Sequence, residues 1–470
     1  MATTQLSRAT LSQVSNTVIT PGYAVHPLET GVVHLGLGAF HRAHQAMVFD
    51  QLLRQGDSRW GIHGVGMTQP GLVNKLRAQD GLYAVRIAGA TGVEWQVPGA
   101  LWQTSVATTE RQNVLKAIAA PSTRWITLTV TEKGYTSSLA QLLIDGLRLR
   151  HAAGHAGLTI ASCDNLQGNG HKLQALIHAT ASAQDTALMQ WMDAHCAFPC
   201  SMVDRIVPAA TDEVAAAAKD ALGLIDDCAL STETFWEWVI EDKFVDPADG
   251  ALLAQCGVRV TPDVHSYEEA KLRMLNGSHS AMALMGAITG RPYIATCIGA
   301  DHIREFVYRL MSREVAPHLS RTDWADYRDA LIQRFGNPYL KHSVHQIATD
   351  SSQKIPQRWP PSILGQMAKG QAFEHHALAA AIFLRYTLVV DEQGHAYTLN
   401  DPQAESLLAI GKNQVADAAD SLKALLSRQD LWGTELPHNT LWAQRVAYWH
   451  DQVIHQGVDA TVKFAITLDA

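Results

Sequence analysis

The sequence predicts an α/β fold: an N-terminal, doubly wound parallel sheet followed by a mostly α-helical C-terminal domain. Three observations carry this expectation. β-Branched runs alternate with helical stretches through the first half, a glycine turn closes the first of these runs, and strand signals become sparse beyond Asp263. Alternation of this kind calls for a parallel sheet covered on both faces. A chain of 470 residues also exceeds one ordinary core. The boundary is expected after the turn-rich Asp246-Pro247-Ala248-Asp249-Gly250 stretch, giving domains 1–262 and 263–470.

The elements follow in order. Val32-Val33-His34-Leu35-Gly36 reads as a buried strand, and Phe40 to Gln55 as the helix after it. Gly61 to Met67 and Leu82 to Ile87 read as strands, and Trp125 to Thr131 is a clear one. Leu158 to Cys163 is another, with a helix from about His171 to His195. From Tyr267 onward, Ala, Leu, Arg and Glu recur at three- and four-residue spacing, as in Ala404 to Leu426 and Thr440 to Val453, which is the helical period.

Composition narrows the function classes. Apolar residues make up 47% and charged residues 17%, so the chain is globular rather than disordered. Lys and Arg number 37 against 45 Asp and Glu, a net −8, which argues against nucleic acid or an anionic membrane as a partner held by the overall field. The apolar run Ala377 to Leu384 is far shorter than the roughly 20 residues of a membrane span. The segment Met1 to Gly22 lacks a basic start followed by an apolar stretch, so no secretory leader is expected. Six cysteines without a CxxC pair suggest reduced thiols and a cytoplasmic protein. The expected partner is a small molecule, and the expected state a monomer or small homo-oligomer.

Gly36-Leu37-Gly38 follows the first strand and opens a helix, the context of a dinucleotide fingerprint. The first glycine permits the tight turn, and the second lets a pyrophosphate approach the backbone. His41 stands where a third glycine would be. Arg42 falls in the first helical turn, where a cation opposes the helix dipole unless an anion is present. The alternatives are a tight turn with no ligand and a solvent-exposed arginine.

A second constellation is Lys271-Leu-Arg-Met-Leu-Asn276-Gly-Ser-His279. At about 100° per residue its three polar members share one broad helical face. A partly buried lysine has a pKa lowered toward neutrality and can serve as a general base. Asn276 can donate to a developing alkoxide, and His279 can orient a hydroxyl. Gly277 is expected to permit a bend or a close backbone approach.

Together with other stretches, these motifs resemble the mannitol dehydrogenase family, the polyol-specific long-chain dehydrogenases/reductases. The resemblance spans essentially the whole chain. It includes Gly36 to Gln45, Thr131-Glu-Lys-Gly-Tyr135, Ser162-Cys-Asp-Asn165, Phe198 to Pro208, Trp238 to Phe244 and Lys271 to His279. The resemblance implies an active site in the cleft between a Rossmann domain and a helical domain. It also implies metal-independent hydride transfer between NAD(P) and a secondary alcohol of an open-chain polyol or sugar acid. By the same resemblance, Lys271 is the general base, Asn165 and Asn276 polarise the reacting oxygen, and His279 and Asp204 hold substrate and support the site. Glu132 is implied in proton exchange with solvent.

His345 to Arg358 is most similar to the fructuronate reductase (D-mannonate oxidoreductase) branch, through Gln346, Lys354 and Arg358. A substrate carboxylate needs a cationic partner, and Lys354 with Arg358 could provide one. Mannitol, arabinitol or altritol stays as the alternative substrate. Gly36, Gly38, Phe40, His41, Arg42, Met67 and Thr131 are the cofactor-binding candidates. The segment Met67 to Leu72 has neither acid nor base, which favours NAD by default, while Lys75 and Arg77 keep NADP open. A zinc-dependent dehydrogenase would need a Cys/His ligand set, and no HExxH motif is present, so no metal site is expected.

Overall fold

A computed structural model describes residues 4–24, 28–89 and 92–468, which form two compact units, Met1–His265 and Ser266–Ala470. In the first unit the strands are β1 (Thr30–Leu35), β2 (Gly61–Gly66), β3 (Val85–Gly89), β4 (Gly92–Gln96), β5 (Leu101–Val106) and β6 (Trp125–Leu128). They continue with β7 (Thr159–Ser162), β8 (Ser201–Asp204), β9 (Leu230–Glu233), β10 (Glu237–Glu241) and β11 (Arg259–Thr261).

The central sheet has the order β5-β2-β1-β6-β7, and all its neighbours are parallel. Strand order reverses between β1 and β6, so the crevice at their carboxyl ends is the switch point where such sheets bind ligands. β1, β2, β6 and β7 are buried along their whole length. Alternate residues enter opposite cores. Val32 and Trp125 pack with Phe49, Trp60 and Trp238, whereas Val33, Leu35, Ile126 and Leu128 pack with Leu143 and Leu173.

Two small sheets accompany the central one, of which only β3 was foreseen, as the strand read over Leu82 to Ile87. One is β11-β10-β8, with β8 antiparallel to β10, and the other is β4-β3-β9. Both add β-hairpin-like or mixed pairings to the parallel frame.

Several expected elements are shorter than their sequence pattern. The strand expected over 125–131 ends at Leu128, because the amides of Val130 and Thr131 turn onto the Asp164 carboxylate. The helix expected over 40–55 breaks at His44 into Ala39–Ala43 and Gln45–Arg54, with His44 at φ −126°, ψ −91°. The long helix expected near 171–195 is two helices, Asn169–Thr180 and Thr186–His195. A Ser182/Asp185 capping box restarts the chain between them. Ala404 to Leu426 likewise divides into Ala404–Asn413 and Ala418–Leu426, the second capped by the Asp417 side chain on Asp420 N–H.

The second unit is built around two helices buried nearly all round, Gly277–Thr289 and Glu374–Tyr386. A helix that is apolar on every side belongs at the centre of a helical layer, which explains the uninterrupted run Ala377 to Leu384. Thr440–Gln456 closes on the second of these helices, where Trp449 Nε1 donates to Glu374 at 2.8 Å. The start of that helix is capped by Glu314. Its carboxylate accepts the backbone N–H groups of His375 and His376 at 2.7 and 3.0 Å, and their Nδ1 atoms lie 2.7 and 2.6 Å away. Among the described residues, no helix is long and apolar enough to cross a membrane.

Candidate active site

Most first-unit candidates lie at the carboxyl ends of β1, β2, β6 and β7, with Asp204 at the end of β8. Gly36 adopts φ +97°, and a Cβ there would stand 2.2 Å from the Thr129 carbonyl oxygen, so glycine is required on two counts. Its own carbonyl accepts Thr129 Oγ1–H at 2.9 Å, joining the turn to the end of β6. A Cβ at Gly38 would find only Gly36 O within 4 Å, at 3.7 Å, so this backbone is open to close approach by a ligand. The residues present therefore fit a dinucleotide at this turn.

The side chains after the turn point inward. His41 is fully buried and stacks on His34 with ring centroids 3.3 Å apart. Burial and the neighbouring His34 hold its pKa well below the usual histidine value, so the ring is neutral. Phe40 is half-buried and stacks on His44 at 5.1 Å. Arg42 is buried. Its Nη1 donates to the Cys228 carbonyl at 2.6 Å, Nε donates to the Gly38 carbonyl at 3.3 Å, and the guanidinium lies over Tyr83. Arg42 thus ties the turn to the chain before β9 instead of standing in solvent. Met67 is half-buried directly after β2.

Asp164 organises the next cluster. Its carboxylate accepts Thr131 N–H at 2.7 Å and Val130 N–H at 3.2 Å. Thr131 is held at φ +65°, ψ +168°, a conformation costly for a β-branched residue. Burial raises the Asp164 pKa to about 6 against the opposing pull of those two amides, and the nearby Glu132 charge adds to the rise. Glu132 and Asn165 are both exposed on either side of this buried carboxyl. The hydroxyls of Tyr135 and Ser162 share a hydrogen bond that closes the same turn onto β7. The sequence reading passed over Asp164. A carboxylate between a buried strand and Asn165 was the available signal.

Asp204 ends β8 and is buried. Arg205 beside it donates to the carbonyls of Ala43 and Glu233, the latter at 2.8 Å through Nη2. Burial lowers the Arg205 pKa to about 10.

In the second unit, Lys271–Asn276 forms a π-helical turn that runs into Gly277–Thr289. The wider turn corrects the simple angular arithmetic for Lys271, Asn276 and His279, because the ordinary helical period does not hold across it. π-Turns frequently mark functional positions. Lys271 is buried, Asn276 half-buried. The close approach expected at Gly277 is absent, since a Cβ there meets only ordinary contacts at 3.6 Å from Arg358 and Trp359.

His279 is buried against Phe335 and His342, and its Nε2 has no hydrogen-bond partner among the described residues. Burial holds its pKa well below the usual value, and the charges of His342, Arg358, Arg334 and Lys354 push in the same direction. Arg358 Nη1 donates to the Asn276 carbonyl at 3.0 Å and to Ser280 Oγ at 2.7 Å, which brings Arg358 and Asn276 together. Lys354 Nζ donates to the carbonyls of Ile347 and Thr349, beside the short helix Val344–Ala348 on which Gln346 is exposed. Burial and the Lys354 charge lower the His342 pKa to about 4.

A glycine turn at a switch point, in a chain whose helical unit presents a buried lysine on a π-turn, defines a dehydrogenase-like architecture. Residues 30–249 match the mannitol dehydrogenase Rossmann domain, and residues 263–454 the mannitol dehydrogenase C-terminal domain. The chain belongs to the mannitol dehydrogenase family. It is 37% identical over 473 residues to D-mannonate oxidoreductase of Escherichia coli, covering 94% of this chain and 96% of that protein. It is 34% identical to mannitol 2-dehydrogenase of Phaeosphaeria nodorum, covering 98% of this chain and 85% of that protein. Among solved structures it is similar to Pseudomonas fluorescens mannitol 2-dehydrogenase in ternary complex with NAD and D-mannitol. The TM-score is 0.89 and the identity 30%, with 99% of this chain and 100% of that one covered.

Proposed function

We propose that this protein is an NAD-dependent oxidoreductase acting on a secondary alcohol of an open-chain sugar acid, with D-mannonate and D-fructuronate favoured as the substrate pair. The observation that carries the substrate class is the placement of Arg358, whose Nη1 donates to the Asn276 carbonyl at 3.0 Å and to Ser280 Oγ at 2.7 Å, which puts a positive charge and its field beside the Lys271–His279 segment. A carboxylate gains from such a field, whereas a neutral polyol gains little. The similarity to a D-mannonate oxidoreductase supports the same choice.

In this reading, NAD(H) held at the glycine turn would supply the hydride acceptor, or in the reverse direction the donor, for the carbinol carbon. Gly36 and Gly38 admit the cofactor's pyrophosphate to the backbone, beside Phe40, His41, Arg42, Met67 and Thr131. Lys271 takes the hydroxyl proton, its burial favouring the neutral amine. The amides of Asn165 and Asn276 donate to the oxygen as charge develops on it. His279 is neutral and offers its buried Nε2 to a substrate hydroxyl. Glu132, exposed after β6, takes part in proton exchange with solvent. Asp204, Gln346, Lys354 and Arg358 hold the substrate, and no metal takes part in the hydride step.

The test is NADH formation from D-mannonate and D-mannitol at equal concentrations, repeated with NADP. D-Mannonate with NAD is the preferred pair on this reading. Efficient oxidation of mannitol, arabinitol or altritol with D-mannonate inert would replace it by the polyol alternative.

A further inference from the structure

We propose that His171, Cys200 and Glu241 form a binding site for a thiophilic divalent cation of the Zn²⁺ class, separate from the residues assigned to hydride transfer. His171 lies in the first turn of helix Asn169–Thr180, Cys200 immediately precedes β8, and Glu241 ends β10. One ligand atom from each lies within 4.8 Å of the others.

The spacing suits a tetrahedral ion. Bonds of about 2.3 Å to sulfur and about 2.0–2.1 Å to nitrogen set those two atoms about 3.6 Å apart at a tetrahedral angle. The separation of Cys200 Sγ from His171 Nδ1 is 3.6 Å. The carboxylate is already held at the place where it would ligate. Its Oε2 accepts Cys200 N–H at 3.0 Å, and Glu241 N–H donates to the Cys200 carbonyl at 2.9 Å. Cys200 is buried whereas His171 is exposed, so the ligand set has a protein side and an open side through which an ion can enter.

Charge and ligand chemistry point to the same class. On binding, the Cys200 thiol gives its proton to solvent. Thiolate, carboxylate and neutral imidazole then balance a dipositive ion, with water as the fourth ligand. A soft sulfur donor with an imidazole disfavours Ca²⁺ and Mg²⁺, which take oxygen ligands.

The ion would brace the segment beside the catalytic candidates. Asn169, two residues before His171, accepts Ser201 N–H at 2.9 Å and donates to the Asp164 and Ser201 carbonyls at 3.0 and 2.7 Å. Tying His171 to Cys200 and Glu241 therefore fixes the start of this helix against β8 and β10, next to the turn that carries Asp164 and Asn165.

The competing arrangement is a simple S–H···N hydrogen bond with no ion. Titration of the metal-free full-length protein with Co²⁺ separates the two. A thiolate-to-cobalt charge-transfer band should grow to a one-to-one ratio, and Zn²⁺ should displace it and raise the melting temperature. Cys200→Ser should remove the band. His171→Ala, at an exposed position, should weaken Co²⁺ binding beyond the roughly 10–100-fold that loss of an outer-shell partner costs. Both variants should keep dehydrogenase activity without added metal. A wild-type protein that gives no such band, or a band that survives Cys200→Ser, overturns the proposal.

Discussion

Asp164 accepts two backbone amides at a turn whose Thr131 is held in a costly conformation, so the carboxyl is what keeps Glu132 in place. Burial lifts its pKa to about 6, above the roughly 3.9 of a free aspartate. Between about pH 4 and 6 the folded protein therefore keeps a proton that the unfolded chain has released. The contribution of this group to stability falls as pH rises through that window. Asp164→Asn should flatten this slope in melting curves while still accepting the Thr131 amide. Asp164→Ala should take the acceptor from the Val130 and Thr131 amides, which are only partly buried, at a cost of about 0.5–1.5 kcal/mol, and lower turnover. Unchanged melting and turnover in Asp164→Ala would remove the carboxyl from this role. At Arg358, Ala should cost a ketouronate such as fructuronate about 1.5–3 kcal/mol more in kcat/KM than it costs fructose, because only the acid loses a charge-assisted partner. Equal losses, with a lowered melting temperature, would make Arg358 a brace for the Asn276 carbonyl alone. Lys271, Asn276 and His279 could be picked out in the sequence because reactive residue types sit close together along it. Asp164 was harder to pick out, because beyond its place between a buried strand and Asn165 its importance comes from amides more than thirty residues away in the chain.

At the scale of elements, legibility followed apolar content rather than burial alone, since β8 and β9 are buried throughout but carry polar residues and gave no signal. β1, β2, β6 and β7 are buried throughout and read as apolar runs, but β5 alternates irregularly and β4 is largely exposed, so neither gave a periodic signal. The helix breaks at His44 and at Ser182 to Asp185 were hidden for a different reason. Helical periodicity continues in register across an interruption of one to a few residues, and a cap on a polar side chain leaves the apolar pattern intact. Glu314 shows how much such a cap can carry. Burial alone would raise its pKa, yet the charges and hydrogen bonds of His375 and His376 reverse that and hold it at about 2. A carboxylate depressed in the folded state stabilises above its unfolded pKa, near 4.3, and that stability is lost as pH falls from there toward 2. Glu314→Gln should therefore flatten acid unfolding over that range. It should also destabilise the protein at neutral pH by about 1–3 kcal/mol, because an amide cannot accept from both buried N–H groups and one donor is left unpaired. Denaturant unfolding at pH 7, and in steps from about pH 4.5 down to about pH 2, measures both effects. A variant as stable as the parent at pH 7, with the same acid limb, would contradict the capping account.

At the scale of the molecule, the chain joins a parallel-sheet unit, whose strand order reverses at a glycine turn, to a helical unit, whose polar residues ride on a π-turn. Family membership agrees with the fold class read from the sequence, and the matched regions cover both units. Of the two small mixed sheets only β3 was foreseen, as the strand read over Leu82 to Ile87; the other strands are three to five residues long and interrupted or flanked by polar residues, so they do not stand out from the loops around them. The central claim is that the helical unit supplies the base while the glycine turn holds the cofactor. Lys271→Ala tests it most directly, in a single-turnover measurement of NADH formation paired with a titration of NADH binding. The account predicts a loss of about 10²–10⁴-fold in the hydride-transfer rate with NADH affinity nearly unchanged, and partial recovery on adding a primary amine. Near-normal hydride transfer in Lys271→Ala, or an equal loss of cofactor affinity, would contradict it.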